Sequence, residues 1–81
     1  MINKNLLREK IYGTFHSQAE FSRTIGWNIN RINKILMGKS IPNVNDCANI
    51  ALTLHLSKDE YISIFMPYLS SNGDNLHTKS A

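Results

Sequence analysis

Apolar residues recur three or four positions apart in five short segments of this chain, and polar residues, glycine or proline separate the segments. This spacing predicts amphipathic helices rather than strands, because residues three and four apart share one helical face. The first helix is predicted over residues 4–13, with Leu7, Ile11 and Phe15 directed to the core. The pattern as a whole predicts an all-α domain.

The second helix is predicted to begin at Ser17, because Ser17 and Glu20 have the spacing of a capping box. Phe21 and Ile25 lie four residues apart and share its buried face. Gly26 then fits the helix C-terminus, where a left-handed residue carries no Cβ penalty. These signals place a tight turn directly after Ile25.

The third helix is predicted to begin after Asn28, a favourable N-cap residue, with Trp27 packing on Ile32 as a hydrophobic staple. Ile32 and Ile35 form its buried stripe, and Gly38 ends it. The outward side is unusually polar and basic for so short a helix. It carries Ile29, Asn30, Arg31, Asn33 and Lys34.

The fourth helix is predicted to follow Pro42, with Asn43 as its N-cap and Asp46 three residues later. Five apolar or small residues are expected in the core: Val44, Cys47, Ala48, Ala51 and Leu54.

The fifth helix begins at Ser57, where Ser57 and Glu60 form a second capping box, and Pro67 stops or kinks it. The polar segment 70–81 shows no periodicity and is predicted to be disordered. We therefore expect one domain over residues 1–69.

The second and third helices resemble the helix-turn-helix of the Cro and phage-repressor type, the lambda-repressor-like or XRE-type family. The resemblance covers roughly residues 6–65. Its anchors are the Gln-Ala-Glu-Phe opening of helix two, the loop 38–42 before a further helix, and Gly26, Trp27, Ile32 and Ile35. Two features depart from the family pattern: Ser22 stands where alanine is usual, and Ile29, Leu36 and Met37 are more apolar than is common in a recognition helix.

The resemblance implies a compact five-helix DNA-binding domain with its helix-turn-helix at about residues 17–37. It also implies a transcriptional regulator, of the kind found as a repressor in phages and mobile elements, that binds double-stranded DNA. In such a protein the recognition helix enters the major groove.

The distribution of charge agrees with a phosphate-facing surface. The net charge is only +3, but residues 21–45 contain four basic side chains and no acidic one. Locally concentrated positive charge of this kind is typical of a surface that binds nucleic acid.

The candidate DNA contacts divide into two groups. Phosphate contacts are expected from residues at the ends of the two helices and in the following loop, with Gln18 assigned by its family position: Gln18, Arg23, Asn28, Lys39 and Ser40. Base contacts are expected from the outward side of helix three, with Arg31 binding either a base or a phosphate: Ile29, Asn30, Arg31, Asn33 and Lys34. Asparagine pairs with adenine, lysine with guanine, and isoleucine can contact a thymine methyl, which favours an A·T-rich operator.

The fifth helix, at about 57–69, holds more apolar residues than one short helix can bury, and such an excess is typical of an interface. In the resembled family the last helix commonly forms a two-fold dimer, which would bind a near-palindromic site with half-sites about 34 Å apart. The dimer surface is predicted from Tyr61, Ile64, Phe65, Tyr68 and Leu69.

Other classes of protein are disfavoured. Cys47 is the only cysteine and is expected in the core, so no internal disulfide can form. The three histidines are scattered and show no metal-ligand spacing, and there is no phosphate-binding glycine loop. We expect no catalysis, no metal and no cofactor, and the lack of a membrane span or signal peptide predicts a cytoplasmic protein.

Two alternatives remain open. The same fold can serve as an inhibitor or antitoxin that binds another protein, and Ile29, Leu36 and Met37 favour that interpretation. A bare dimerisation module would need only the fifth helix. The salt dependence of binding distinguishes a DNA-binding protein from one that binds a protein partner. DNA binding through lysine and arginine weakens steeply as salt rises, whereas binding through an apolar surface does not.

Overall fold

A computed structural model of the chain describes residues 2–67. Within that range the backbone forms five α-helices and no strand. They are α1 (Lys4–Thr14), α2 (Gln18–Ile25), α3 (Ile29–Leu36), α4 (Val44–Leu54) and α5 (Lys58–Phe65). The all-α prediction is confirmed. None of the described helices is long and apolar enough to cross a membrane.

Every helix begins at a serine or asparagine whose side chain accepts a backbone N–H of the first turn. The five N-caps are Asn3, Ser17, Asn28, Asn43 and Ser57. The last two are reciprocal capping boxes with Asp46 and Glu60. Because each bond satisfies an otherwise unpaired N–H, these short sequences fix where each helix starts.

One core joins the helices. Helix α1 contacts the other four, and α2 also contacts α3 and α4. The N-terminus is tied to α5 by a bond from the Asn3 N–H to the Ile64 carbonyl oxygen, at 2.6 Å. The fully buried large side chains are Leu7, Ile11, Phe21, Ile32, Ile50 and Ile64.

The predicted core face of α4 was partly wrong. Val44 is 79% exposed and Ala48 is exposed, whereas Ile50, which the prediction omitted, is buried together with Cys47 and Leu54. Two apolar stripes run along this helix about a third of a turn apart, and only one of them can face the core. The stripe at 47, 50 and 54 is the one that packs.

Helix α5 ends at Phe65, before Pro67. Met66, the residue that precedes the proline, has φ −133° and ψ 51°, outside the helical region. This follows from the clash between a proline ring and a helical residue before it. The predicted disordered segment 70–81 lies outside the described residues.

Candidate nucleic-acid interface

Helix α3 separates its side chains cleanly into two faces. Ile32, Ile35 and Leu36 are buried on the inner face. On the outer and lateral sides, Ile29, Asn30, Arg31 and Lys34 are exposed and Asn33 is half-buried. Leu36, one of the three apolar residues taken to favour a protein-binding role, is buried (3% exposed), whereas Ile29 and Met37 are exposed.

The turn between α2 and α3 is fixed by several bonds to one residue. The carbonyl oxygen of Ser22 accepts the N–H groups of Gly26, at 2.9 Å, and Trp27, at 3.1 Å. The Ser22 hydroxyl in turn donates to the Trp27 carbonyl oxygen. Gly26 has φ 81°, the left-handed conformation predicted for it. These contacts fix how α3 leaves α2.

The predicted phosphate contact Gln18 is the first residue of α2. Ser17 Oγ accepts the Glu20 N–H at 3.1 Å and caps the helix, and Gln18 is half-buried. Arg23 is exposed near the other end of α2. The carbonyl oxygen of the Asn28 side chain already accepts the Asn30 N–H at 2.8 Å, which leaves its amide nitrogen to donate to a ligand.

The loop after α3 is held against the end of that helix. The Lys34 carbonyl oxygen accepts the N–H groups of Lys39, at 2.8 Å, and Ser40, at 3.1 Å. Lys39 is exposed and Ser40 is half-buried. The backbone of both predicted phosphate-contacting residues in this loop is therefore fixed by hydrogen bonds to α3.

Two basic residues of α1 that the sequence pattern did not indicate also lie at the C-terminus of α3. Arg8 Nη2 donates to the Leu36 carbonyl oxygen at 3.3 Å. Lys4 Nζ lies 2.9 Å from the point that a Cβ on Gly38 would occupy. Cations are favourable there because of the unpaired carbonyls and the helix dipole. No sequence signal marks the contacts, since Lys4 and Arg8 are far from α3 along the chain.

The side chain of Arg31 contacts two neighbouring side chains of the protein, Trp27 and Asp46. Its guanidinium carbon lies 4.0 Å from the centre of the Trp27 ring, and Nη2 lies 2.6 Å from Asp46 Oδ1 in α4. By contrast, Arg23, Lys34 and Lys39 make no ion pair with any residue of the described range. Three of the four basic side chains of residues 21–45 thus have no ion-pair partner among residues 2–67, whereas the fourth, Arg31, is paired.

A separate groove of about 310 Å³ lies between the N-terminus, the α3–α4 loop and α5, with Cys47, Pro42 and Phe65 in its lining. Burial and the neighbouring negative charge of Asp46 raise the pKa of the Cys47 thiol. The thiol therefore stays protonated at neutral pH and is a poor nucleophile. Cys47 is 8% exposed and belongs to the core, as predicted.

The predicted dimer surface on α5 is wrong for two of its residues. Ile64 is 0% exposed and Phe65 is 7% exposed, because both complete the chain's own core. Tyr61 is half-buried against that core, and Tyr68 and Leu69 lie outside the described residues. The exposed apolar side chains instead include Ile41, Val44 and Leu52.

Comparison with protein-family models, curated proteins and solved structures finds no match to this chain.

Proposed function

We propose that this chain is a sequence-specific DNA-binding transcriptional regulator, built as a lambda-repressor-like domain in which α2 and α3 form the helix-turn-helix. The observation that carries the proposal is the face of α3. An eight-residue helix buries three apolar side chains and exposes the amide of Asn30 and a lysine, Lys34, with no ion pair in the described range. A rigidly held helix with such a face suits the major groove.

The supporting elements have separate tasks. In this proposal Gln18 at the start of α2, Arg23 near its end, and Lys39 and Ser40 after α3 would contact phosphates, which set position without sequence information. Asn30 and Lys34 lie near the centre of the outer face of α3, opposite the buried stripe. They are the residues we expect to distinguish one base pair from another.

We also propose that the chain binds DNA as a dimer, because a dimer would set two α3 helices on successive turns of one face of the duplex. With Ile64 and Phe65 buried, two of the five residues predicted for the dimer surface on α5 are unavailable to a second copy. We assign the dimer surface to α4, where Val44, Ala48 and Leu52 are exposed at positions i, i+4 and i+8.

The α4 stripe fits a second copy of itself. Asp46 is the only charged residue of α4 and is engaged with Arg31. Two such stripes can therefore meet with no charge repulsion. Antiparallel packing about a two-fold axis would bring Val44 of one chain to Leu52 of the other, with the small Ala48 at the centre where helices approach to about 8–10 Å.

A protein-binding role is the second candidate, and the exposure of Ile29 and Met37 favours it. The buried Leu36 removes the third apolar residue on which that interpretation depended. An inhibitor or antitoxin would bind its target through apolar contacts, whose strength changes little with salt.

Selection of bound duplexes from a random pool tests the proposal. We expect the wild-type protein to enrich a near-palindromic sequence with half-sites about 34 Å apart, and the Asn30→Ala and Lys34→Ala variants to lose preference at defined positions. Failure to enrich any sequence at low salt would reject the regulator and leave the protein-binding role.

A further inference from the structure

The pair formed by Arg31 and Asp46 has a role that the sequence did not indicate. We propose that Asp46 limits the sequence-independent affinity of this domain for DNA: it neutralises Arg31 and so keeps this charge from adding to the attraction for DNA phosphates. The inference rests on the proposed DNA-binding function and replaces the expectation that Arg31 contacts the duplex.

The carboxylate of Asp46 is fixed from both sides. Oδ1 lies 2.6 Å from Arg31 Nη2, and Oδ2 accepts the Asn43 N–H at 3.2 Å in the capping box of α4. The Asp46 N–H donates back to Asn43 Oδ1 at 2.8 Å. An anion at the N-terminus of a helix is also favoured by the helix dipole. Asp46 is thus part of the α4 cap and cannot follow Arg31 toward another partner.

The guanidinium is held on a second side by Trp27, whose ring centre lies 4.0 Å from its central carbon. Stacking of this kind adds to an ion pair, because the ring face attracts the cation. The Arg31 side chain is still 45% exposed, against 14% for Asp46. A phosphate that approached Arg31 would therefore have to compete with a fixed carboxylate and would be repelled by it.

The consequence concerns affinity for every duplex rather than discrimination between sequences. Each phosphate neutralised by a basic residue releases counterions and strengthens binding to every sequence. A cation already paired inside the protein releases none. A phosphate contact strengthens operator and non-specific binding alike, so an arginine withheld from phosphates lowers both affinities and leaves their ratio unchanged.

The test measures binding to a mixed-sequence duplex as salt is varied, for four proteins. In Asp46→Asn the ion pair is lost and Arg31 becomes available to phosphate, while the one oxygen of the new amide can still accept the Asn43 N–H. We expect the slope of log affinity against log salt to steepen by about 0.9, so that affinity relative to wild type rises about 3.5-fold for each fourfold drop in salt.

Two variants provide the controls. Arg31→Gln/Asp46→Asn keeps the net charge of the wild type and should keep its slope, since the pair contributes nothing. Asp59→Asn removes an exposed carboxylate in α5 and adds the same net charge as Asp46→Asn without releasing Arg31, so its slope should also match the wild type. Urea unfolding of each variant confirms that it is folded.

Two results would overturn the inference while leaving the DNA-binding function in place. One is a wild-type slope that Asp46→Asn does not change. The other is a slope in the double variant that is shallower than wild type by about 0.9, which would show that Arg31 already contacts a phosphate. If the wild-type protein binds no duplex at low salt, the proposed function fails and this inference fails with it.

Discussion

The hydroxyl of Ser22 donates to the carbonyl oxygen of Trp27, across the turn that joins α2 to α3. Ser22 is 7% exposed and is the only buried polar residue of the described chain. Alanine, which the resembled family commonly has here, would fit the same space but could not make this bond. Serine therefore adds a hydrogen bond across a turn whose geometry sets the direction of α3.

We expect Ser22→Ala to lower the free energy of unfolding by about 1 kcal/mol, because the Trp27 carbonyl loses its buried donor. Thr24→Ala is the matched control: its hydroxyl donates to the Glu20 carbonyl, at 3.0 Å, on the exposed side of the same helix. That change should be within a few tenths of a kcal/mol of neutral. Urea denaturation measures both, and equal effects would show that the Ser22 bond contributes nothing special.

Two glycines should respond to alanine in opposite directions. Neither has a heavy atom within 4 Å of an added Cβ, so backbone conformation decides the sign. Gly26 has φ 81° and should lose roughly 1 kcal/mol of stability as alanine. Gly13 lies in the last turn of α1 and should gain about 0.5 kcal/mol. A thermal melt of each variant tests the left-handed turn, and a stabilising Gly26→Ala would contradict it.

Introducing opposite charges at Val44 and Leu52 tests the proposed α4 dimer. Val44→Lys and Leu52→Glu should each give a monomer, because a single buried charge has no partner in the interface. The double variant should recover the dimer, since antiparallel packing brings the introduced lysine of one copy opposite the introduced glutamate of the other. Light scattering coupled to size exclusion measures the mass, with Asn5→Lys on α1 as a control for added charge. A dimer that persists in both single variants would exclude this surface.

Acid should remove the stabilisation that Lys10 gives to Glu60. The hydrogen bond from Lys10, followed by the bond from the Ser57 N–H, holds the pKa of the Glu60 carboxyl below its usual value. A lowered folded-state pKa stabilises the fold above the unfolded pKa, about 4.3, and that contribution is lost as pH falls through the folded value.

The stability difference between wild type and Glu60→Gln should therefore be present at neutral pH and shrink below about pH 4. Glu9→Gln, at an exposed carboxylate of α1 that makes no ion pair within residues 2–67, is the control. Urea midpoints across this range test it; a difference that grows in acid would have the wrong sign.

Helix starts and turns could be predicted from the sequence because they depend on neighbours in the chain. Ser17, Asn28, Asn43 and Ser57 cap helices where their spacing indicated, and Gly26 is left-handed. The buried face of α4 could not be predicted from the sequence, because Val44, Ala48 and Leu52 form a second apolar stripe on this helix. Only packing against the other helices decides between the two.

The candidate site divides in the same way. The outward position of Asn30 and Lys34 follows from the period of the helix. The pairing of Arg31 with Asp46, and of Arg8 with the end of α3, joins residues 15 and 28 positions apart. Such contacts depend on how the helices dock, so no local pattern indicated them.

Equilibrium binding to a selected duplex and to a scrambled duplex tests the central claim most directly, using Asn30→Ala beside Lys39→Ala. If α3 contacts bases, Asn30→Ala should lower affinity for the selected duplex alone, by about 1–3 kcal/mol, and Lys39→Ala should weaken binding to both duplexes alike. If instead Asn30→Ala leaves the ratio of the two affinities unchanged, α3 does not determine sequence preference, and the account of this chain as a sequence-specific regulator is wrong.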